Sequence, residues 1–145
     1  MTESTRAPHT FDIAEDLPAQ TTVLEASAGT GKTYAIVSLA ARYLAEGVPI
    51  SGMLLVTFSR AATAELRERM RERVHGLVGV LADPASAAQS ADQLHRLLAA
   101  GTAEDVARRR AHLVRALSDF DASTIATTHT SVSYTHLTLP TTPYV

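Results

Sequence analysis

A run of small residues that ends in a lysine and a threonine has the residue types to bind a polyphosphate. Residues 26–33 read A-S-A-G-T-G-K-T and match the pattern [A/G]-x-x-x-x-G-K-[S/T], with Ala26 where glycine is usual. Backbone N–H groups of such a turn can converge on phosphate oxygens, and the first turn of a following helix adds more. Lys32 would reach the β- and γ-phosphates, and the Thr33 hydroxyl would ligate Mg²⁺. The pattern predicts a nucleotide-binding loop, and the plainer alternative is a turn that merely joins a strand to a helix.

The segments on either side of this loop have the patterns of a strand and a helix, the setting that a phosphate-binding loop requires. Residues 21–25 form a β-branched and apolar run typical of a short buried strand. Residues 33–46 place apolar side chains at three- and four-residue spacing, and Gly47 stands where a helix C-cap is expected. Residues 53–57, M-L-L-V-T, suit a strand buried on both faces. The order strand, helix, strand predicts a βαβ unit.

Three more helices and a third strand are predicted further along the chain. Residues 60–82 carry a long apolar stripe, and residues 85–100 are Ala-rich and predict a shorter helix. Residues 102–117 begin with a Thr-x-x-Asp capping pattern, and residues 123–127, S-T-I-A-T, predict the strand. The stripe in the first of these helices consists of Leu66, Met70, Val74, Leu77, Val78 and Leu81. The predicted fold class is α/β, with a parallel sheet flanked by helices.

The composition narrows the class of protein. The chain has 145 residues, enough for one core, and 46% of them are apolar. It has no cysteine, which excludes disulfides and thiolate sites and fits a reducing compartment, so a cytoplasmic location is expected. Residues 1–18 lack the apolar core of a secretory signal, and no apolar run approaches the roughly 20 residues of a membrane span. The net charge of −2 gives no overall basic field.

Most other charged residues are interpreted as surface or structural. Four arginines in residues 60–82 alternate with glutamates, which favours a solvated helix face over a phosphate-binding stripe. They are Arg67, Arg69, Arg71 and Arg73. Residues 108–110, R-R-R, are likewise expected to be surface charge. Three histidines have neither metal-like spacing nor acidic partners and are expected to be structural: His75, His95 and His112.

Three blocks in this sequence, in the right order, resemble the motifs of superfamily 1 (UvrD/Rep-like) DNA helicases. E-A-S-A-G-T-G-K-T, residues 25–33, is similar to motif I, in the wording of the exodeoxyribonuclease V beta subunits, or RecB type. L-L-V-T-F-S-R-A-A-T-A-E-L-R-E-R-M, residues 54–70, resembles motif Ia and is the most specific block. D-A-S-T-I-A-T-T-H, residues 121–129, resembles the next block, which ends in Thr-His. L-P-A-Q, residues 17–20, stands where the family carries its adenine-reading glutamine.

The resemblance implies a P-loop NTPase fold, here a partial RecA-like domain, that binds ATP and Mg²⁺. The implied nucleotide ligands are Gln20, Ala26, Ser27, Ala28, Gly29, Thr30, Gly31, Lys32 and Thr33. Lys32 and Thr33 would be catalytic, with Thr33 on the Mg²⁺. The implied contacts to single-stranded DNA are Thr57, Phe58, Thr128 and His129, although Phe58 taken alone could be a core residue. The implied partners are DNA ends and RecC- and RecD-like subunits of a helicase–nuclease complex, without a membrane.

The end of the sequence departs from the family's pattern. Residues 131–145 contain no Lys, Arg, Asp or Glu, are rich in Thr and Tyr, and resemble translated sequencing-adapter read-through. No acidic Walker B pair follows motif Ia, and the arginine finger of this class is missing as well. We therefore expect a fragment of a longer helicase–nuclease protein that on its own neither hydrolyses ATP nor translocates.

The expected organisation has three parts. Residues 1–20 form a leader and adenine-side segment, residues 21–130 a partial helicase domain, and residues 131–145 a non-native or disordered tail. The alternatives are a UvrD- or AddA-like helicase, a P-loop kinase or generic NTPase, and a short nucleotide-binding module whose tail is native. A kinase would give no reason for the block at residues 54–70.

Overall fold

Helices make up most of the structure, a computed structural model that describes residues 10–25, 31–120 and 124–127. The elements, in chain order, are α1 (Lys32–Ala45), β1 (Leu54–Thr57), α2 (Arg60–Val80), α3 (Pro84–Ala87), α4 (Gln93–Ala99), α5 (Ala103–Ser118) and β2 (Thr124–Thr127). A 3₁₀ turn, Ile50–Gly52, leads into β1. Within these ranges, no helix combines the length and apolarity that crossing a bilayer requires.

Helix α1 ends at the glycine that the sequence predicts. The N–H of Gly47 donates to the Leu44 carbonyl at 3.0 Å, and the N–H of Val48 donates to the Tyr43 carbonyl at 3.0 Å. This pair of bonds is a Schellman motif. Gly47 has a φ of 105°, which a residue with a Cβ adopts only with strain.

The apolar stripe of α2 forms the centre of the core. Met70 is 1% exposed, and Val74 and Leu77 are fully buried. These side chains lie three or four residues apart and therefore share one helix face, which packs against α1 and α5. The predicted helix over residues 60–82 is confirmed, with its end at Val80.

The single helix predicted over residues 85–100 is wrong, because the chain starts a helix twice there. The Asp83 carboxylate accepts from the Ser86 N–H at 3.3 Å at the start of α3, and Asp92 accepts from the Leu94 N–H at 2.9 Å at the start of α4. Each carboxylate takes an N–H that a continuous helix would bond to a carbonyl one turn earlier. The two aspartates therefore divide the segment into two short helices.

The expectation of surface charge at residues 108–110 is wrong for two of the three arginines. Arg109 donates to the carbonyls of Leu98 at 3.1 Å and Ala100 at 2.6 Å, and Arg110 donates to the Val78 carbonyl at 3.0 Å. These carbonyls lie in or next to the last turns of α4 and α2, where helical partners are missing and side-chain donors are favoured. Two arginines of α5 therefore hold the neighbouring helix ends.

Strands β1 and β2 pair in parallel, with Leu54 opposite Thr124 and Thr57 opposite Thr127. The strand predicted at residues 21–25 is absent from the described structure: this segment has no ladder, and Val23 is 77% exposed. A strand needs a neighbour to take up its N–H and C=O groups, and residues 21–25 pair with no strand of the described structure. The predicted βαβ unit around α1 is therefore wrong for this structure.

Candidate functional site

The first backbone N–H groups of α1 have no acceptor among the described residues. Its N-cap residue, Gly31, lies in the left-handed region with φ 88°. The first helical bond runs from the Ala35 N–H to the Gly31 carbonyl at 2.9 Å, so the N–H groups before Ala35 have no helical acceptor. Within the described ranges, no side chain caps this end, and the first turn contains no acidic residue. Among the described residues, this end of the helix is positive and uncapped.

The two residues predicted to carry the chemistry lie on this end. Lys32 and Thr33 are the first two residues of α1, and both are exposed. Five predicted ligands lie outside the described residues: Ala26, Ser27, Ala28, Gly29 and Thr30. The structure therefore places Gly31, Lys32 and Thr33 together at the helix start.

The predicted adenine ligand, Gln20, is exposed and follows a segment that is anchored on α1. The Tyr43 hydroxyl donates to the Pro18 carbonyl at 2.9 Å, and Arg42 donates to the carbonyls of Ile13, at 2.7 Å, and of Glu15. These bonds hold residues 13–18 against the C-terminal half of α1. No described contact joins the Gln20 side chain to the start of α1.

The turn between β1 and α2 holds a large aromatic side chain in solvent. The Thr57 hydroxyl lies 2.6 Å from the Thr63 hydroxyl, and the Ser59 hydroxyl caps α2 by accepting from the Ala62 N–H at 3.1 Å. Between these two fixed residues, Phe58 is 92% exposed. The alternative that Phe58 is a core residue is therefore wrong, and the Thr57 hydroxyl serves the turn itself.

The other two predicted DNA contacts, Thr128 and His129, lie outside the described residues. They follow β2 directly in the sequence, as Phe58 follows β1. Because Thr57 and Thr127 are partners in a parallel pair, both strands end at the same edge.

A cluster that the sequence analysis missed lies directly behind the start of α1. We call the residues Tyr34, Ser38, Arg73 and Asp92 the helix clamp. Arg73 forms two hydrogen bonds to the Asp92 carboxylate, at 2.6 and 3.1 Å, and donates to the hydroxyls of Tyr34 at 3.2 Å and Ser38 at 3.4 Å. The Arg73 guanidinium also lies 5.1 Å from the centre of the Tyr34 ring, and the Tyr34 hydroxyl donates to Asp92 at 3.4 Å. The clamp joins α1, α2 and the start of α4.

The charges of the clamp reinforce each other. Burial alone would raise the pKa of Asp92, but the hydrogen bond and the positive charge of Arg73 outweigh it and lower that pKa to about 2. Burial opposes the charged form of Arg73 too, yet the hydrogen bond and the charge of Asp92 raise the pKa of Arg73 above its ordinary value. Both side chains are largely buried, with 15% and 20% of their surface exposed. The pair is therefore charged at neutral pH.

The clamp corrects two expectations from the sequence. The alternation with glutamates assigns Arg73 to a solvated helix face, the environment in which Arg69 pairs with Glu65. His95 is expected to lack an acidic partner, but its Nε2 lies 3.7 Å from Asp92. The one local signal is the Ser-Ala-Asp run at residues 90–92, typical of a helix N-cap, although its distant partners leave no trace in local spacing.

The sequence matches the family of the UvrD/REP helicase N-terminal domain over residues 9–138. The chain therefore belongs to this family of superfamily 1 helicases, and the resemblance inferred from its motifs is confirmed. This membership implies the P-loop NTPase fold and decides against a P-loop kinase. The match extends into the segment at residues 131–145.

Among curated proteins, the chain is similar to RecB subunits of the RecBCD enzyme. It is 49% identical over 122 residues to the RecBCD enzyme subunit RecB of Mycobacterium tuberculosis (strain CDC 1551 / Oshkosh), covering 82% of this chain and 11% of that protein. It is 48% identical over 122 residues to RecB of Mycolicibacterium smegmatis, with the same coverage. It is also 42% identical over 81 residues to RecB of Escherichia coli (strain K12), covering 46% of this chain and 7% of that protein. The chain therefore spans about a tenth of the length of its mycobacterial RecB relatives.

Proposed function

We propose that this chain is the ATP-binding part of a RecB-type helicase–nuclease, in which ATP hydrolysis drives movement along DNA for the repair of double-strand ends. Lys32 and Thr33 are the proposed catalytic residues. Lys32 would neutralise the β- and γ-phosphates, and the Thr33 hydroxyl would be a ligand of Mg²⁺.

The observation that supports this proposal best is the open start of α1. Lys32 is a cation at the positive end of a helix, where a positive charge costs about 0.3–1 kcal/mol of stability. A triphosphate reverses this cost, because it brings negative charge to Lys32, to the helix dipole and to the free N–H groups. A helix start that lacks its own cap is the arrangement that an anionic ligand completes.

The residues present fit ATP and Mg²⁺. The free N–H groups, Lys32 and Thr33 supply donors for phosphate and one hydroxyl for the metal ion. The described residues contain no group of three acidic or histidine side chains that could hold a metal ion. Mg²⁺ commonly keeps several waters and binds through substrate phosphates, so one protein hydroxyl beside the nucleotide is sufficient here. We further propose that the backbone of residues 26–30 completes the phosphate site and that Gln20 reads adenine.

The proposed path of single-stranded DNA crosses the edge where β1 and β2 end. Phe58 is held in solvent by the fixed Thr57 and Ser59, and an exposed ring of this kind can stack on a base of any sequence. Thr57, Thr128 and His129 belong to the same proposed track. The pair of strands would be part of a larger parallel RecA-like sheet flanked by helices, and residues 1–20 and 131–145 would lie outside it.

The proposed partners follow from the RecB-type assignment: DNA ends, and RecC- and RecD-like subunits in the cytoplasm. Hydrolysis requires an acidic Walker B pair and an arginine finger. We propose that other parts of the full-length protein supply these groups, so that this chain alone binds ATP without turning it over.

Lys32 is the only lysine in the chain, which allows a direct test. An amine-reactive reagent labels Lys32 and the terminal amine, and mass spectrometry quantifies the two sites separately. We expect MgATP to protect Lys32 and to leave the terminal amine equally reactive. In a parallel titration, Lys32→Ala should weaken MgATP binding by about a hundredfold, since a hydrogen bond to a charged group contributes roughly 1.5–3 kcal/mol.

The matched control is Arg115→Ala. Arg115 is a cation with 85% of its side chain exposed, on α5. It carries the same charge as Lys32 but lies in the last turn of its helix, so its loss should leave MgATP affinity unchanged. Unchanged affinity in Lys32→Ala would overturn the proposed function.

A further inference from the structure

We infer that Tyr34 is a positioning residue for the triphosphate and that Arg73 and Asp92 act through it. The inference rests on the proposed function, because it concerns the same helix start. Tyr34 directly follows Lys32 and Thr33 in the first turn of α1. The position of its side chain therefore sets the orientation of the turn that carries the proposed phosphate and Mg²⁺ ligands.

The clamp grips α1 at two successive turns. Tyr34 and Ser38 are four residues apart and lie on one face of the helix, where their hydroxyls lie 3.2 and 3.4 Å from the same Arg73 nitrogen. Contacts to two turns add to the core packing of α1 against α2 and α5 and restrict the rotation of its first turn about the helix axis. Rotation about this axis is the motion that would swing Lys32 and Thr33 away from a bound phosphate.

Local hydrogen bonds hold Asp92, and therefore one side of the clamp, in a fixed position. Its carboxylate accepts from the Leu94 N–H at 2.9 Å, and its own N–H donates to the Ser90 hydroxyl at 3.1 Å. The same carboxylate holds Arg73 through two hydrogen bonds, a geometry that restricts the guanidinium plane. Arg73 therefore meets Tyr34 in a defined orientation.

The first turn of α1 needs this external support because it lacks a local one. No described side chain caps the helix at Gly31, and no described atom lies within 4 Å of the position that a Cβ would take there. At the other end of α1, the Schellman motif at Gly47 already fixes the chain. The clamp thus lies at the end of α1 where nothing else in the described residues sets the geometry.

The test compares variants of the 145-residue chain. Tyr34→Phe keeps the ring over Arg73 and removes the hydroxyl, and Arg73→Gln removes the charge and most of the clamp. The probe is inorganic tripolyphosphate with Mg²⁺, which reports on the phosphate site without the base. We expect binding to weaken about threefold in Tyr34→Phe and about tenfold in Arg73→Gln, because a mutation that shifts a site without touching its ligand has effects of this size.

The second readout is the rate at which an amine reagent labels Lys32 in the free chain. Both variants should change this rate without changing that of the terminal amine. A merely structural cluster would lower the melting temperature and leave the Lys32 rate and the affinity unaltered when both are measured well below the transition.

The matched control is Arg109→Gln. Arg109 is 18% exposed, holds the carbonyls of Leu98 and Ala100, and lies 3.7 Å from Glu46 at the far end of α1. The Arg109→Gln substitution should lower the melting temperature about as much as Arg73→Gln does. It should leave the tripolyphosphate affinity and the rate of Lys32 labelling unchanged. If Arg73→Gln behaves like this control in both readouts, the inference is overturned. If the unmodified chain fails to bind tripolyphosphate, the proposed function is lost and the labelling rates alone decide the inference.

Discussion

Helix α5 satisfies its N-terminus with its own residues, whereas helix α1 leaves its N-terminus open. At α5, the Thr102 hydroxyl accepts from the Asp105 N–H at 3.1 Å, and the Asp105 carboxylate accepts from the Thr102 N–H at 3.1 Å. Glu104 and Asp105 also place negative charge in the first turn. At α1, the N-cap position holds the left-handed Gly31, and the first turn contains Lys32 and no acidic residue.

This difference separates a helix start that its own side chains stabilise from one that, in the proposed function, a ligand would stabilise. A capping residue contributes about 1 kcal/mol, and acidic residues in the first turn add about 0.3–1 kcal/mol more. The chain uses both devices at α5 and neither at α1. Because the same sequence contains a complete capping box, the uncapped start of α1 supports the proposed function, in which a triphosphate would supply the missing charge.

The largest effect is expected from placing an acidic residue in the first turn of α1, because α5 has acidic residues in its first turn. Lys32→Glu should abolish MgATP binding, weakening it by more than about a hundredfold, because a carboxylate then repels the phosphates. In the free chain the same change should raise the free energy of unfolding by about 0.5 kcal/mol, because it suits the helix dipole. Urea unfolding and a nucleotide titration measure the two effects. A loss of stability would mean that Lys32 already has a partner and that the start of α1 is not open.

The second prediction concerns the clamp that supports the open end. Asp92→Asn keeps the size of the side chain but removes the charge that holds Arg73, which is largely buried with Asp92. We expect the free energy of unfolding to fall by about 2 kcal/mol, since a hydrogen bond between charged partners contributes roughly 1.5–3 kcal/mol. Urea unfolding at pH 7 measures this loss. The surface pair of Arg69 and Glu65 is the control, because Glu65→Gln should cost less than about 0.5 kcal/mol.

The pH dependence of stability gives a third prediction. The pKa of Asp92 is about 2 in the folded chain and 3.8 ordinarily, so the folded state favours the ionised carboxylate. The stability that Asp92 contributes is therefore complete above about pH 5 and is lost as the pH falls towards 2. Asp92→Asn should flatten the fall in melting temperature over this range. The slope that remains belongs partly to Asp105, whose pKa is lowered by its hydrogen bonds to Thr102 and to Arg108.

Local features of the fold were predictable from the sequence, and contacts between distant residues were not. Three local features were predicted correctly: the helix C-cap at Gly47, the apolar stripe of α2 and the capping box at Thr102. Each depends on residues a few positions apart, where the spacing determines which atoms are in contact. The Tyr34–Asp92 contact joins residues 58 positions apart, and no pattern in either segment announces it. The strand expected at residues 21–25 failed for the same reason, because its formation depends on a neighbouring strand and not on its own residues.

The same division holds at the candidate site. The G-K-T pattern located Gly31, Lys32 and Thr33 at a helix start, because a phosphate loop is a local structure. The sequence does not predict that Arg73 packs against the start of α1, since an arginine among glutamates is usually solvated. Burial is a property of the packed chain, and it distinguishes Arg73 from Arg69 although both follow a similar pattern.

A smaller effect is expected from opening α5 to resemble α1. Thr102→Ala removes the side chain that accepts the Asp105 N–H and should lower the free energy of unfolding by about 1 kcal/mol. MgATP affinity should not change, because this helix start carries no proposed ligand. Thr102→Ser restores the hydroxyl and should recover most of the stability. A change in affinity in Thr102→Ala would mean that stability anywhere in the chain affects the site, and the contrast between the two helix starts would lose its functional meaning.

The smallest effect on stability is expected at a third helix start, that of α2. Ser59 caps this helix, so its stability does not depend on Phe58, which is 92% exposed. Phe58→Ala should change the free energy of unfolding by less than about 0.5 kcal/mol, as is usual for surface positions. In the full-length protein, the same variant should weaken single-stranded DNA binding by about 1–3 kcal/mol without altering ATP affinity, because one base loses its stacking partner. These two results together would indicate that the exposed Phe58 ring serves the proposed DNA track and not the stability of the fold. If Phe58→Ala instead unfolds the chain, the ring packs against the core in solution, and the proposed DNA contact at Phe58 is contradicted.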